Sequence, residues 1–121
     1  MAMGGSYEVT SWERSTSFGS SQRTDAIDLG FGIPVGIAVT TNNLAATSLS
    51  FEIAKGSTHT FYAVVTSSGG TLVVTTSTQA AQYYPVDPKY FYGAVAMKIV
   101  ASSTAGADTD KPVTLVTRPI L

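Results

Sequence analysis

From Leu49 to Ile53 the chain alternates apolar and polar residues one by one, Leu49-Ser50-Phe51-Glu52-Ile53, and no segment shows a convincing helical spacing of apolar residues. Alternation with a period of two puts Leu49, Phe51 and Ile53 on one side of an extended backbone and Ser50 and Glu52 on the other. Lys55-Gly56-Ser57-Thr58 supplies turn chemistry, and a second apolar run, Phe61 to Val65, follows it. The stretch reads as a β-hairpin with one strongly apolar face, which the rest of the chain must cover.

Other segments repeat the pattern. Ala26–Leu29 and Val35–Val39 read as short strands separated by the Gly30-Phe31-Gly32-Ile33-Pro34 loop. Thr71–Thr76 is rich in Val and Thr, which are stiff at χ1 and favour extended backbone. Ala94–Ala101 predicts a strand with Val95, Met97, Ile99 and Ala101 on one face, and Val113–Arg118 a closing strand. Pro85 and Pro88 exclude a central strand from Tyr83–Tyr90, where Asp87-Pro88 predicts a turn or one helical turn. Seven or eight short strands with a turn every eight to twelve residues predict an all-β fold: one antiparallel β-sandwich, jelly-roll-like. Residues 1–24 are set apart as an extended N-terminal arm and residues 25–121 as the sandwich. In the arm, Tyr7, Trp12 and Phe18 interrupt a Gly/Ser/Thr background. Either Trp12 plugs one end of the domain or the arm docks on a neighbouring subunit.

Only 12% of the 121 residues are charged and the net charge is −1. That charged fraction is about half the usual ~25%. The polar surface is therefore mainly hydroxyls and amides, which are cheaper to desolvate than Lys or Glu and suit a protein that lies against other proteins. Lys and Arg are scattered singly, so no basic stripe follows a phosphate backbone and nucleic acid is not an expected partner. The chain has no cysteine and no apolar run long enough to span a bilayer, and Met1–Ser6 lacks the charge and apolar stretch of a secretion signal. Synthesis in a reducing cytoplasm, away from membranes, is expected.

Candidate chemistry is sparse. His59 is the single histidine, and with no Cys or second His it has no partner for a metal site or a nucleophile triad. The Gly30/Gly32/Gly36 spacing is wrong for a nucleotide loop, and Pro34 interrupts it. Asp28 and Glu52 are the carboxylates a hydrolase would have to bring together across strands. Asp108-Thr109-Asp110 lacks the Gly and distal Glu of a calcium loop, and solvated loop charges are the expectation there. No cofactor motif is present and no enzyme is expected. Tyr83, Tyr84, Tyr90, Phe91 and Tyr92 form the densest aromatic cluster. Its alternate rings either fill one end of the sandwich or offer a stiff contact surface to a protein or a sugar ring.

Several segments resemble small proteins encoded beside the structural genes of tailed bacteriophages. They are Thr24-Asp25-Ala26-Ile27-Asp28-Leu29-Gly30, Pro34-Val35-Gly36-Ile37, Ala46–Ile53, Pro85–Phe91, Met97–Ser102 and the ending Val113–Pro119. Where those proteins usually carry a Leu-Arg dipeptide, this chain has Ile99-Val100. The likeness runs from about Thr24 to the end and carries no catalytic signature. It implies a virion accessory protein: a capsid decoration (cement) protein, or the base of a head fibre or spike. The expected partners are then the major capsid protein and further copies of the chain, on the outside of the phage head. Tyr7, Trp12, Phe18, Tyr83, Tyr84, Tyr90 and Tyr92 are the candidate interface residues. A glycan-binding module of a head or tail fibre, recognising host sugars through the tyrosines, is the alternative.

Overall fold

The computed structural model describes residues 12–39, 44–56, 60–76 and 82–119. Among them are nine strands: β1 (Trp12–Ser17), β2 (Ile27–Asp28), β3 (Gly32–Val39), β4 (Ser48–Lys55), β5 (Tyr62–Ala63), β6 (Val74–Thr75), β7 (Gln82–Pro85), β8 (Ala94–Ala101) and β9 (Pro112–Pro119). A single 3₁₀ turn, Pro88–Phe91, lies between β7 and β8; Asp87 caps it by accepting the Lys89 N–H, and Pro88 opens it. One sheet runs β1-β9-β3-β7 and the other β2-β8-β4-β5, with β6 also on β4, and every strand pair is antiparallel. With β5 and β6 together occupying one edge position, the chain changes sheet at nearly every connection, which is the winding of a jelly roll. The sandwich expected from the alternating segments is present.

The two inner faces supply the core. Leu49, Phe51 and Ile53 of β4 and Met97, Ile99 and Ala101 of β8 point inward from one sheet. Ile37 and Val39 of β3 and Val113 and Leu115 of β9 meet them from the other. Phe51 and Phe91 pack edge to face, centroids 5.5 Å apart, so the 3₁₀ turn closes one part of the core with an aromatic ring.

Two bulges set which residues face inward. On β3 the register jumps from Pro34↔Thr117 to Gly36↔Val116, leaving Val35 as an extra residue. Its carbonyl is not wasted, since it accepts the Val86 N–H at 3.0 Å. Pro34 fits inside a strand because β7 pairs with β3 only from Gly36 onward. The strand therefore begins at Gly32, where a loop was expected through Pro34. On β8 the register passes from Ala54↔Ala96 to Lys55↔Ala94, which leaves Val95 extra. Ala94 packs on the core in its place and Val95 is exposed, against the simple alternation of the sequence.

Half of the expected N-terminal arm belongs to the sandwich. Residues 12–17 form β1, paired along its length with β9 from Trp12↔Thr117 to Ser17↔Pro112. Phe18 is fully buried, and the chain then crosses to the opposite sheet: Thr24 N–H donates to the Ile99 carbonyl and the Ile99 N–H to Thr24 Oγ1. Alternation of apolar and polar residues does not mark β1, whose residues are exposed on both faces apart from the half-buried Thr16. Residues 1–11, with Tyr7, lie outside the described residues, as does His59.

Candidate binding surfaces at the open sides

Two surface depressions stand out among the described residues, one beside the edge strand β5 and one beside the edge strand β1. On the β5 side a cleft of about 460 Å³ is lined by Ile53, Lys55, Tyr62, Val64, Val65 and Tyr90. Val64 closes its floor while Tyr62 and Val65 stand half out of it. The flap that forms this edge is held by Val64 N–H to the Phe51 carbonyl, Leu72 N–H to the Val64 carbonyl, and a turn in which Gly69 N–H donates to Thr66. Tyr62, Val65 and Val73 are 53%, 49% and 51% exposed, and residues 60–76 contain no Asp, Glu, Lys or Arg. Lys98 reaches the flap from β8, its ammonium 4.6 Å from the Phe61 ring.

On the β1 side an opening of about 440 Å³ is lined by Trp12, Arg14, Gly30 and Phe31. Trp12 and Arg14 stand on the same face of β1, two residues apart. Phe31, 85% exposed, is the tip of a tight turn between β2 and β3. That turn is fixed by Gly32 N–H to the Leu29 carbonyl (2.8 Å), Gly30 N–H to Asp28 Oδ1 (2.9 Å) and Leu29 N–H to the Val95 carbonyl (3.0 Å). Gly30 has φ +54°, the conformation that puts glycine at the first corner of such a turn.

Searches of protein families, curated proteins and solved structures return no match to this chain. Trp12 is 40% exposed and lines the β1-side opening; Phe18 is core and offers no surface. Tyr84 lies inward against the core. Tyr83 lies outside, its ring over Gly36 so closely that a Cβ there would overlap it, with the hydroxyl donating to the Val35 carbonyl at 3.3 Å. Tyr90 lines the β5-side cleft and Tyr92 is exposed after the 3₁₀ turn. The four tyrosines thus divide between core (Tyr84), outer sheet face (Tyr83), cleft (Tyr90) and exposed turn (Tyr92). Tyr62, Val65, Val73, Phe31 and Arg14 were not singled out by sequence; the charge-free run of residues 60–76 was the available signal.

Glu52, Asp28 and Asp108 are engaged structurally. Glu52 is held by a two-pronged contact with Arg23, Nε to Oε1 at 3.1 Å and Nη2 to Oε2 at 3.2 Å, and faces Lys98 across the β4–β8 pair. The hydrogen bond to Glu52, then its charge, holds the Arg23 guanidinium above its already high value. Asp28 is on β2 with β8 between it and Glu52, and its Oδ1 is spent on the Gly30 turn. Asp108 corrects the expectation of a solvated loop charge: it is 2% exposed. Its Oδ1 accepts the Ala45 N–H (2.6 Å) and pairs with Lys111 Nζ (3.0 Å); its Oδ2 accepts the Ala46 N–H (3.0 Å) and Ser103 Oγ (2.7 Å). Burial pushes its pKa up, but the donors Ser103, Ala45, Lys111 and Ala46 outweigh burial and leave it below the usual carboxylate value. Among the described residues no group of three His, Cys, Asp or Glu side chains is arranged to hold a metal ion.

Proposed function

We propose that this chain is a non-enzymatic structural protein of a tailed-phage virion, seated in several copies on the outer surface of the capsid and binding the major capsid protein. The observation that carries the docking part is the flap of residues 60–76: charge-free, rimmed by Ser and Thr, with Tyr62, Val65 and Val73 half-exposed beside a cleft. Charge depletion with an aromatic anchor is the composition of an interface core. The virion part rests on the sequence resemblance, and jelly rolls serving as viral capsid domains are a fold-level analogy alongside it. Repetition over a capsid lattice turns a modest single-site affinity into firm attachment.

The test is to mix the purified protein with capsids that lack it and to measure co-sedimentation and lattice occupancy by imaging. Saturable occupancy is expected, weakened about tenfold or more when Tyr62, Val65 and Val73 are all changed to Ser. No association with such capsids, or association untouched by the triple change, refutes the proposal or its docking surface respectively. Deleting residues 1–24 is not a usable probe, since it removes β1 and Phe18 with them.

A further inference from the structure

We infer that the β1-side opening is a binding site for a saccharide bearing a carboxylate. Trp12 and Phe31 present two large apolar ring surfaces to solvent, and both are set on fixed backbone: one on a strand paired over six residues, the other on a turn closed by three hydrogen bonds. Stiff aromatic faces on a rigid frame lose little freedom when a pyranose ring lies against them. Between them sits Arg14. Its Nη2 would come within 3.9 Å of a Cβ placed on Gly30, so the guanidinium reaches from β1 to the turn that joins the two sheets. Among the described residues, no hydrogen bond or ion pair engages that guanidinium. A planar cation with its donors unspent, beside exposed rings, matches a carboxylate that it grips in a fork while the rings take the sugar's apolar face.

The charge pattern narrows the ligand. Arg14 is the one cation among the lining residues, so the opening matches a ligand that carries one carboxylate. The size of the opening suits one or two sugar rings. Gly30 at the rim is required by its positive φ, and a Cβ there would only touch the guanidinium at an ordinary contact distance of 3.9 Å. The site is separate from the residue 60–76 flap, and its test does not depend on capsid attachment.

Trp12 is the sole tryptophan, so its fluorescence reads this opening directly. The intact protein is titrated with N-acetylneuraminic acid and with galacturonic acid, each bearing one carboxylate, alongside their methyl esters. A saturable change in Trp12 emission with the acids is expected, about tenfold weaker with the esters and in Arg14→Gln, as loss of one charge-assisted contact implies. Phe31→Ala, at an exposed position, is expected to abolish saturation while leaving the urea midpoint unchanged. No saturable response to the acids up to about 10 mM, the weak end for a single-sugar site, overturns the inference. So does equal binding of acid and ester, an unaltered response in Phe31→Ala, or tighter binding of an acidic peptide or a nucleoside monophosphate.

Discussion

Replacing Asp108 by Ala removes four acceptor contacts at once, and the structure sets what each is worth. The Ala46 N–H is buried and the Ala45 N–H partly so, and both lose their acceptor. A buried donor left without a partner costs about 1–3 kcal/mol. Lys111 keeps partial access to solvent, its side chain 28% exposed, so breaking the ion pair leaves no fully buried charge behind and adds less than the two N–H groups do. Ser103 can turn its hydroxyl elsewhere. The expected loss is about 3–4 kcal/mol, a large share of the 5–15 kcal/mol that holds a domain together. It is measured by urea unfolding, with a lower midpoint and an unchanged slope. The same residue governs acid stability. Its folded pKa lies below the unfolded value, so its contribution is complete above about pH 4 and is lost as pH falls through the folded pKa. Asp108→Asn is expected to flatten that limb of the pH profile. A loss below about 1 kcal/mol in Asp108→Ala would show that water replaces the carboxylate and that the two N–H groups are not held by it.

Phe18→Ala is expected to cost about 3–5 kcal/mol in the same urea assay, since the ring is fully buried; a near-neutral effect would return residue 18 to a free arm. Gly36→Ala forces the Tyr83 ring off the sheet and is expected to cost about 1–3 kcal/mol. Adding Tyr83→Ala should recover most of that loss, and a double-mutant cycle showing no coupling would contradict the contact. For Arg23 and Glu52, both partly exposed, the cycle is expected to give under ~1 kcal/mol and to shrink with added salt. A salt-independent value would mean that the pair is shielded from solvent.

Much of the core is written in the spacing of β4 and β8. Leu49, Phe51 and Ile53 and again Met97, Ile99 and Ala101 alternate because each faces an opposite sheet, and burial enforces the period. The same rule misplaces Val95, where one extra residue shifts the phase without any local mark in the sequence. It is silent on β1, whose residues are exposed on both faces apart from Thr16, so Trp12 and Arg14 are selected by something other than the core. Pro34 misleads in the other direction. A proline excludes a strand only if its missing N–H faces a partner, and β7 pairs with β3 only beyond it. Asp108 is illegible for a physical reason: its partners Ala45 and Ala46 are distant in sequence and offer backbone groups, which leave no trace in residue identity.

The pairing of β1 with β9 also decides how the molecule answers a pull. Trp12 lies opposite Thr117, so the two ends of the described chain leave the same end of one antiparallel ribbon. Tension applied through them reaches the rungs singly, beginning at that pair and travelling toward Ser17 and Pro112, as a zipper opens. A tether fixed at those ends therefore strips β1 away at low force and lifts Phe18 out after it. A tether fixed at the Gly69–Gly70 turn leaves that seam unloaded.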